Sequence, residues 1–400
     1  MAGPVLVLQT QSRGGLTFVR ALGQKGIPVT AADSDRLAVS FFSRYASGRL
    51  VYPHPQKDED AFVSFVLRFL ERRHHDLLVP MFDRTLLPLA RRKQDVQRFT
   101  RFPFLDYDVL MQGRDKARTV ALARSLGMRV PATQTVDSQD DVERAVGDLG
   151  LPAILRPRES EGSVGVRLFT RHEDIPHVWA VVSSLYGPAI VQEYIPWGGF
   201  TYDVDVLMNF DSEPRAVFVA KRVRTYPPLA GPTACGEGVK YPELADMAVR
   251  LLKEMGWCGP AEVEFRIDPR DGQPTLMEVN PRLWGSLYTA TVSGIDFPYM
   301  LYRMAMDGDV EPMLDYHTER RARYLFTLDL LCMATHPRKR TIAKDWLLDF
   351  VNPRTTALLP SLRDPLPLPG KLLGSLIYGT RPSRLKRRFS GMLEQRKVAA

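Results

Sequence analysis

The sequence has little cysteine and histidine, and it has no long apolar run. Its 400 residues include 3 Cys and 7 His. Cys235, Cys258 and Cys332 lie far apart with no CxxC pair, which disfavours a disulfide framework and a structural zinc site. No uncharged apolar stretch reaches the roughly 18 residues that would predict a membrane-spanning helix. Residues 1–11 lack the basic start of a secretory signal. We therefore expect a protein of the reducing cytoplasm.

The composition excludes collagen-like, mucin-like and wholly disordered proteins. Hydrophobic residues make up 44% of the chain and charged residues 25%, as in ordinary globular proteins. The net charge of +8 is concentrated in one region, because residues 317–400 contain 17 Lys and Arg against 6 Asp and Glu. The rest of the chain is slightly acidic, so no nucleic-acid partner is expected.

The first 110 residues follow the pattern of an open parallel sheet. Apolar runs at Pro4–Leu8, Ile27–Ala32 and Leu77–Pro80 predict three strands, and Gly14–Gly15 follow the first of them before a helical stretch. A strand, a glycine-rich turn, a helix and a second strand, in this order, begin many α/β domains. Residues 12–15 are therefore expected where ligands of such sheets bind.

Residues 111–314 predict an α+β region in which strands and helices alternate. The segments PAILR, VRLF, AIVQE, AEVEFRID and PTLMEVN have the apolar or alternating pattern of strands. A helix is predicted over residues 242–255, with Pro242 in its first turn and Gly256 beyond its end. The last 85 residues contain seven prolines and are expected to form an irregular appendage with some helix.

The strongest chemical signal is a pair of strands at residues 260–282. Residues two apart on a strand share a face, so Glu264 would converge with Glu278 and Asn280 if the two strands form a hairpin. Two carboxylates and an amide oxygen suit Mg²⁺. Arg282 follows two residues later and could bind a phosphoryl oxygen. From spacing alone, a solvated acidic sheet face is an equal alternative.

A glycine-rich loop runs from Arg156 to Val166 between two apolar strands. Gly162 lets the backbone approach a ligand closely, and Ser160 and Ser163 offer hydroxyl donors, so the loop could cradle phosphates. It is not a P-loop, because no helix and no GK[ST] follow. A tight hairpin is the alternative interpretation.

Three further residues have nucleotide-binding chemistry. Glu193 and Arg156 each end an apolar strand, and Lys116 opens a helix. A strand end can present a carboxylate and backbone groups to an adenine edge, and basic side chains bind phosphates. Each residue alone is more often a surface group, and the order of all these motifs along the chain is what makes them specific.

In this order the motifs resemble the ATP-grasp superfamily over residues 1–314, most specifically at LMEVNPR and at GRDKARTVALARSLGMRVPAT. The resemblance implies a chain of α/β and α+β parts with an ATP-grasp fold. Its parts would be a Rossmann-like pre-ATP-grasp domain (1–110), a small lid domain (111–192), a large domain with the metal site (193–314) and a basic, proline-rich C-terminal extension (315–400). Members grip ATP between two lobes, and most activate a carboxylate as an acylphosphate that an amine then attacks.

The resemblance also implies roles for individual residues. Glu264, Glu278 and Asn280 would hold the metal, and Arg282 would bind phosphate or the intermediate. Arg156 stands where the family has a lysine, and Asp203 or Asp205 would replace the family's ribose glutamate. The nucleotide-binding set would comprise Lys116, Arg156, Ser160, Gly162, Ser163, Glu193, Tyr194, Ile195 and Asp203.

Residues 221–238 are predicted to form a long loop, and loops of this length within a compact domain are often functional. The resemblance implies a place over the active site. Lys221 and Arg224 would then act with Arg282 as catalytic residues on the substrate, and Arg222 and Tyr226 are further candidates. A flexible surface loop is the alternative.

The segments LMEVNPRLWGS and TYPPLAG look most like the carboxylate–amine ligase branch, which includes D-aspartate ligase-like proteins. The resemblance implies ATP and Mg²⁺ as cofactors, with Mn²⁺ as an alternative metal. The predicted reaction joins a small-molecule carboxylate to an amine, such as an amino acid or peptide, and releases ADP and phosphate. A phosphotransferase and a nucleotide-binding module without ligase activity are the competing hypotheses.

The C-terminal segment has two interpretations. Residues 372–379 are apolar, whereas residues 381–391 are strongly basic, with Leu385 and Phe389 on one side of a helix. We favour packing of residues 372–379 against the body of the protein. The alternative is a weak peripheral contact of the basic segment with an anionic membrane.

Overall fold

The computed structural model describes residues 3–160, 164–228 and 231–379. Within these residues the chain forms two four-stranded sheets and one seven-stranded sheet. Gly162 and Ser163 of the predicted phosphate loop lie outside the described residues.

The N-terminal sheet is parallel, as predicted. Its strands, in the order β3-β2-β1-β4, are β1 (Val5–Leu8), β2 (Val29–Asp33), β3 (Gly48–Val51) and β4 (Leu77–Pro80). All residues of β1 and β4 are buried, which is typical of parallel strands covered on both faces. The helices of this region are α1 (Arg13–Gly23), α2 (Glu59–Arg72), α3 (Asp83–Arg91), α4 (Lys93–Gln97) and α5 (Tyr107–Arg114), with a 3₁₀ turn at Val39–Phe42.

The small lobe contains an antiparallel sheet in the order β5-β8-β6-β7. Its strands are β5 (Thr133–Val136), β6 (Ala153–Pro157), β7 (Arg167–Phe169) and β8 (Ala189–Glu193), and its helices are α6 (Lys116–Ser125), α7 (Gln139–Leu149) and α8 (Ile175–Tyr186). Ser138 caps α7 by accepting a hydrogen bond from the Asp141 N–H. The sheet packs on α7 and α8 around a separate apolar core that includes Val142, Leu155 and Phe169.

The large sheet has the order β13-β12-β9-β10-β11-β14-β15. Its strands are β9 (Thr201–Met208), β10 (Pro214–Thr225), β11 (Thr233–Gly238), β12 (Gly259–Ile267), β13 (Pro274–Asn280), β14 (Arg321–Arg323) and β15 (Thr355–Ala357). The accompanying helices are α9 (Pro242–Glu254), α10 (Tyr288–Val292) and α11 (Phe297–Asp307). One continuous apolar core joins this sheet to the N-terminal domain and includes Trp257 and Trp284.

The contact between α1 and the large domain is very close at Gly14. A Cβ atom at this position would lie 2.4 Å from the Trp284 carbonyl oxygen. Only glycine fits here without moving the backbone, so the glycine turn that predicted an α/β domain also sets the distance between two domains.

The prediction of a long loop at residues 221–238 is wrong. β10 continues to Thr225 and pairs antiparallel with β11, which begins at Thr233, so most of the predicted loop lies in two paired strands. The register shifts between Arg222 and Thr225, and such a bulge interrupts the regular alternation of a strand. The Pro and Gly residues nearby, together with this interruption, gave the segment the sequence pattern of a loop.

The C-terminal extension is more regular than expected. It adds β14 and β15 to the large sheet and contains a π-helical turn (Leu325–Asp329), α12 (Leu330–Thr335), α13 (Lys339–Leu348) and α14 (Pro367–Gly379). Strands of three residues are too short to show alternation, so the sequence gives no sign of them. Within the described part of the chain, no helix has the length and apolar character required to cross a membrane.

The extension is fastened to the N-terminal domain by Asp364. Its carboxylate accepts hydrogen bonds from the Arg20 Nε at 2.8 Å, the Ser43 hydroxyl at 2.7 Å and the Arg44 backbone N–H at 2.9 Å. α14 contacts the 3₁₀ turn, but the favoured packing of residues 372–379 is not borne out by the apolar side chains, because Gly374 is buried while Leu372, Leu373, Leu376 and Ile377 are exposed. The basic segment 381–391 lies outside the described residues, so its membrane contact stays a prediction.

Candidate functional site

The predicted acidic strands β12 and β13 pair as an antiparallel hairpin, and β9 lies on the other side of β12. Glu264 lies opposite Glu278 on β13 and opposite Asp203 on β9. Two residues away, Glu262 lies opposite Asn280. The structure thus brings the three predicted metal ligands to one face, because residues two apart share a face. This acidic face comprises Asp203, Asp205, Glu262, Glu264, Glu278 and Asn280.

Two arginines from different lobes contact the acidic face. On β10, Arg222 donates through Nε to Asp203 Oδ2 at 2.9 Å, and its Nη2 lies 2.5 Å from both Asp203 Oδ1 and Glu264 Oε2. From β6 in the small lobe, Arg156 Nη2 donates to Glu278 Oε2 at 2.7 Å. Buried carboxylates need such partners, and the second contact joins the small lobe to the large sheet.

Asn280 and Arg282 lie at the end of the hairpin. Asn280 donates through Nδ2 to Glu262 Oε1 at 3.2 Å, and its Oδ1 accepts from Arg282 Nη2 at 2.9 Å. The Arg282 Nε also lies 3.4 Å from Asp83 Oδ1 at the start of α3. Arg282 therefore stands between the acidic face and the N-terminal domain, close to the predicted metal ligands.

The Glu278 end of the acidic face carries an excess of positive charge. Burial alone would raise the pKa of Glu278, but Lys116, Arg156 and Arg222 together lower this pKa to about 2. Burial, together with the charge of Arg156, lowers the pKa of Lys116 to about 8, although Glu278 opposes the shift. One carboxylate among three cationic side chains leaves positive potential here, which suits a phosphate group.

The Glu262 end of the acidic face carries an excess of carboxyl groups instead. Burial and the neighbouring Asp203 raise the pKa of Glu262 to about 8, although Arg222 and Arg282 oppose this. Burial, Glu262 and Asp203 raise the pKa of Asp205 far above its usual value. These carboxyls crowd together in a buried place, so each ionisation opposes the next. A divalent cation bound nearby would favour their deprotonation.

Lys116 is fixed at the start of α6 by its neighbours. The Asp115 side chain caps the helix and also binds the Arg158 guanidinium. Lys116 is 4% exposed, and its Nζ donates to the Ser160 carbonyl oxygen at 2.9 Å. The predicted phosphate lysine and the first part of the glycine-rich loop are therefore in contact.

Glu193 is directed away from the acidic face. Its carboxylate accepts from Arg270 Nη2 at 2.6 Å and from the Ala132 backbone N–H at 3.2 Å. These contacts hold the end of β8 against the turn after β12. The backbone of Tyr194 and Ile195 follows directly, and its adenine-binding role stays a prediction.

Two residues predicted to contact substrate lie elsewhere. Lys221 pairs with Tyr202 on the sheet face opposite Asp203, where its Nζ lies 3.5 Å from the Phe200 ring centroid. Arg224 is 5% exposed, and its ion pairs with Asp329 and Asp349 of the extension are 2.6 and 2.7 Å long. The Lys221 side chain therefore lies on the sheet face opposite the acidic face. Arg224 has a structural role, because a buried guanidinium requires carboxylate partners such as these two.

Three other residues of the acidic face were not predicted to be metal ligands. Asp203, predicted to bind the ribose, lies beside Glu264 in the acidic face. Glu262 and Asp205 belong to the same face but were not counted as possible ligands. The signal for both was the period-two alternation, which places Glu262 with Glu264 and Asp205 with Asp203.

The chemistry of the donors fits a hard cation. Glu264, Glu278 and Asn280 offer only oxygen, the donor that Mg²⁺ prefers. Among the described residues, no group of three or more His, Cys, Asp or Glu side chains is arranged to hold a metal ion. Two carboxylates with one amide oxygen remain as the candidate ligand set, and Arg222 and Arg156 currently balance their charge.

Comparison with known proteins gives the family context. Residues 187–326, from before β8 to the extension, match the sequence model of a family described as "ATP-grasp in the biosynthetic pathway with Ter operon". The carbamoyl phosphate synthase large chain of Mycobacterium sp. (strain JLS) is 22% identical over 362 residues. That match covers 81% of this chain but 32% of the relative, so the chain spans about a third of the length of such curated relatives.

Solved structures show the same fold. Biotin carboxylase from Campylobacter jejuni has a TM-score of 0.66 at 15% identity, over 79% of this chain and 74% of the other. N5-carboxyaminoimidazole synthetase from Staphylococcus aureus has a TM-score of 0.63 at 15% identity, over 80% of both chains. L-amino acid ligase from Bacillus licheniformis has a TM-score of 0.59 at 16% identity, over 78% and 77%. The hairpin, the two lobes and these structural matches show that the chain has the ATP-grasp fold, and residues 187–326 match an ATP-grasp family model.

Proposed function

We propose that the protein is an ATP- and Mg²⁺-dependent carboxylate–amine ligase that works through an acylphosphate and releases ADP and phosphate. The observation that carries this proposal is the meeting of two lobes at Glu278. This carboxylate belongs to the large sheet, yet Arg156 of the small lobe contacts it at 2.7 Å. A triphosphate between the lobes would meet cationic side chains on one side and oxygen ligands for a metal on the other.

The nucleotide would lie along the small lobe. Lys116 and Arg156 would orient the phosphates, with the backbone of the glycine-rich loop near Ser160. The backbone of Tyr194 and Ile195 would bind the adenine edge. Positioning and electrostatics of this kind account for most of the catalysis of phosphoryl transfer.

Glu264, Glu278 and Asn280 would hold Mg²⁺. The ion would neutralise charge on the transferred phosphoryl group. Because Arg222 now pairs with Glu264, its guanidinium would have to turn towards the substrate or phosphate when the ion binds. Arg282, already bonded to Asn280, would contact the transferred group from the N-terminal side.

The proposed reaction has two steps, and in each step one bond forms as another breaks. A substrate carboxylate oxygen forms a bond to the γ-phosphorus while the bond from that phosphorus to the bridging oxygen of ADP breaks. The amine then attacks the acyl carbon, phosphate leaves, and the amine proton passes to solvent. Neither step requires a nucleophilic protein side chain, in keeping with a site built from cations and oxygen ligands.

The comparisons support the substrate class without defining it. The solved relatives include an L-amino acid ligase and structures named as complexes with ADP and with its magnesium salt. A D-aspartate ligase-like specificity remains part of the proposal, as does the use of Mn²⁺ in place of Mg²⁺.

A second candidate is a nucleotide-binding module without ligase activity. The specific observation in its favour is that Arg222 and Arg156 already neutralise the predicted metal ligands Glu264 and Glu278. If these ion pairs persisted in the presence of ATP, no strong metal site would form.

Product analysis distinguishes the candidates. The purified protein with Mg²⁺, ATP and a panel of amino acids, singly and in pairs, should form ADP and phosphate by phosphorus NMR. Hydroxylamine should trap the activated carboxylate as a hydroxamate. Formation of AMP and pyrophosphate would exclude the acylphosphate route. ADP formation with a stable phosphorylated product would indicate a phosphotransferase, and nucleotide binding without any product would favour the module.

A further inference from the structure

Helix α14 contacts the N-terminal domain through its small residues. A Cβ atom at Gly370 would lie 2.3 Å from the Phe42 ring, and a Cβ atom at Gly374 would lie 3.8 Å from the Leu37 carbonyl oxygen. Both glycines are buried, and residues four apart share one side of a helix. Gly370 and Gly374 therefore form a glycine face, which lets the domain approach the helix closely.

A different side of α14 carries large apolar residues that are exposed. Because each residue is turned by about 100° from the one before it, Leu372, Leu373, Leu376 and Ile377 lie within an arc of about 140°. We call these four residues the leucine face. A surface helix of a globular protein normally has the reverse arrangement, with its apolar side chains towards the core.

This arrangement indicates an interaction surface. Single exposed leucines are common, but a contiguous apolar patch marks a site for a protein or a membrane. The glycine face fixes which side of the helix turns inward, so the leucine face cannot turn towards the domain without losing the contact at Phe42.

The charge of the neighbouring sequence favours one occupant. Residues 365–393 contain six Lys and Arg and no Asp or Glu, and five of the six lie between Arg381 and Arg388. This basic segment begins two residues after Gly379, the last residue of α14, so its charges are tethered to the end of the leucine face. An anionic lipid surface offers apolar chains to the leucines and negative headgroups to the basic side chains.

A second copy of the chain matches this surface less well. It would offer the leucine face apolar side chains but would add a second basic segment, and like charges repel. The 13 residues of α14 are also too few to span a bilayer, so contact with the surface of a membrane is the arrangement that fits the length of the helix.

We propose that α14 and the basic segment attach the protein to the surface of an anionic membrane. The leucine face enters the boundary between headgroups and acyl chains, and the basic segment binds the headgroups. The glycine face then holds the N-terminal domain against the attached helix. This attachment replaces the inward packing of residues 372–379 expected from the sequence, and it does not depend on the proposed ligase function.

Flotation with vesicles tests the attachment. The full-length protein should float with phosphatidylcholine vesicles that contain about 30% phosphatidylglycerol, and it should bind vesicles of phosphatidylcholine alone far more weakly. Binding should be strongest at about 0.02 M salt and fall by about 0.5 M salt, because salt screens the attraction between the basic side chains and the headgroups.

Variants separate the apolar contribution from the charged one. Leu376→Ser should weaken binding about tenfold, because this side chain would no longer be buried in lipid. Leu185→Ser in the small lobe is a matched control, since Leu185 is 66% exposed and Leu376 is 69% exposed. Replacement of Arg387 and Arg388 by Gln should weaken binding about 20-fold at low salt, whereas replacement of the exposed pair Arg72 and Arg73 by Gln should not.

Four results would overturn the attachment. They are no flotation with anionic vesicles at low salt, equal flotation with neutral vesicles, loss of binding only in the arginine variant, and equal binding by Leu376→Ser and Leu185→Ser. Sedimentation velocity without lipid provides the remaining comparison. A dimer that Leu376→Ser dissociates, together with no vesicle binding, would show that a second copy covers the leucine face instead.

Discussion

Arg222 and Glu264 form an ion pair on the acidic face, with the Arg222 Nη2 2.5 Å from the Glu264 Oε2. The same guanidinium also binds Asp203, so one cation occupies the edge of the site where a metal ligand is predicted. A metal ion bound at the proposed site would compete with this arginine for the same carboxylate oxygen.

Arg222→Met should strengthen metal binding. Loss of a positive charge in contact with Asp203 and Glu264 frees two carboxylates and removes repulsion of the cation, so affinity for Mn²⁺ should rise about tenfold or more. Titration of free Mn²⁺ by electron paramagnetic resonance measures the change. Arg215→Met is a matched control on the same strand, because Arg215 pairs with Asp309 at the surface. Unchanged Mn²⁺ affinity in Arg222→Met would show that the arginine does not compete with the metal.

Glu278→Gln should abolish turnover with little change in fold. Arg156 keeps its contact within the small lobe, Nη1 to Gln192 Oε1 at 3.3 Å, and the ion pairs Arg129–Asp268 and Arg270–Glu193 still join the small lobe to the turn between β12 and β13. Loss of a charged metal ligand should lower ATP-dependent phosphate release about 100-fold or more. Phosphate release and the circular dichroism spectrum should be recorded together, with exposed Glu254→Gln as the control. Wild-type turnover by Glu278→Gln would show that the metal assignment is wrong.

Glu262→Gln should stabilise the metal-free protein at alkaline pH. The folded-state pKa of Glu262, about 8, lies above its usual value of 4.5. Its contribution to stability is therefore fully present below about pH 4.5 and is lost as pH rises through about 8. The variant should match or fall below the wild type at about pH 5 and exceed it at about pH 8.5, where the wild type must bury the charge.

Urea unfolding at these two pH values measures the effect. Glu254→Gln should show no such pH-dependent difference, since that side chain is exposed. Equal stability differences at both pH values would mean that Glu262 is already ionised in the folded protein at low pH.

Gly370→Ala should weaken the attachment of α14. A Cβ atom there would lie 2.3 Å from the Phe42 ring, whereas a Cβ at Gly374, one turn away, would meet only ordinary contacts with Leu37 at 3.8 Å or more. Overpacking of this kind costs about 1–3 kcal/mol, so Gly370→Ala should lower the melting temperature and Gly374→Ala should not. Equal melting temperatures would indicate that α14 does not pack on the N-terminal domain.

The acidic hairpin could be predicted from the sequence because strand alternation and pairing follow from local patterns. The spacing of Glu264, Glu278 and Asn280 was enough to place them on one face, and the apolar runs in β1 and β4 predicted a buried parallel sheet. Both signals depend on residues that are close in sequence and on the two-residue period.

The roles of Lys221, Arg222 and Arg224 could not be separated in the same way. A register shift after Arg222 interrupts the alternation, and the partners of Arg224 lie 105 and 125 residues further along the chain. Likewise, Leu16 of α1 packs against Tyr324 and Leu358 only because the extension folds back over α1. Such long-range contacts leave no mark in a single sequence.

The addition of β14 and β15 has a consequence for association between molecules. Without them, β11 would present a six-residue strand with free backbone groups at the border of the large sheet, and such borders recruit strands from other chains. In the complete sheet β14 pairs with β11, and the edge strand is β15, which has only three residues. A chain truncated after residue 314 should therefore be prone to aggregate, even if every residue of the acidic face is intact.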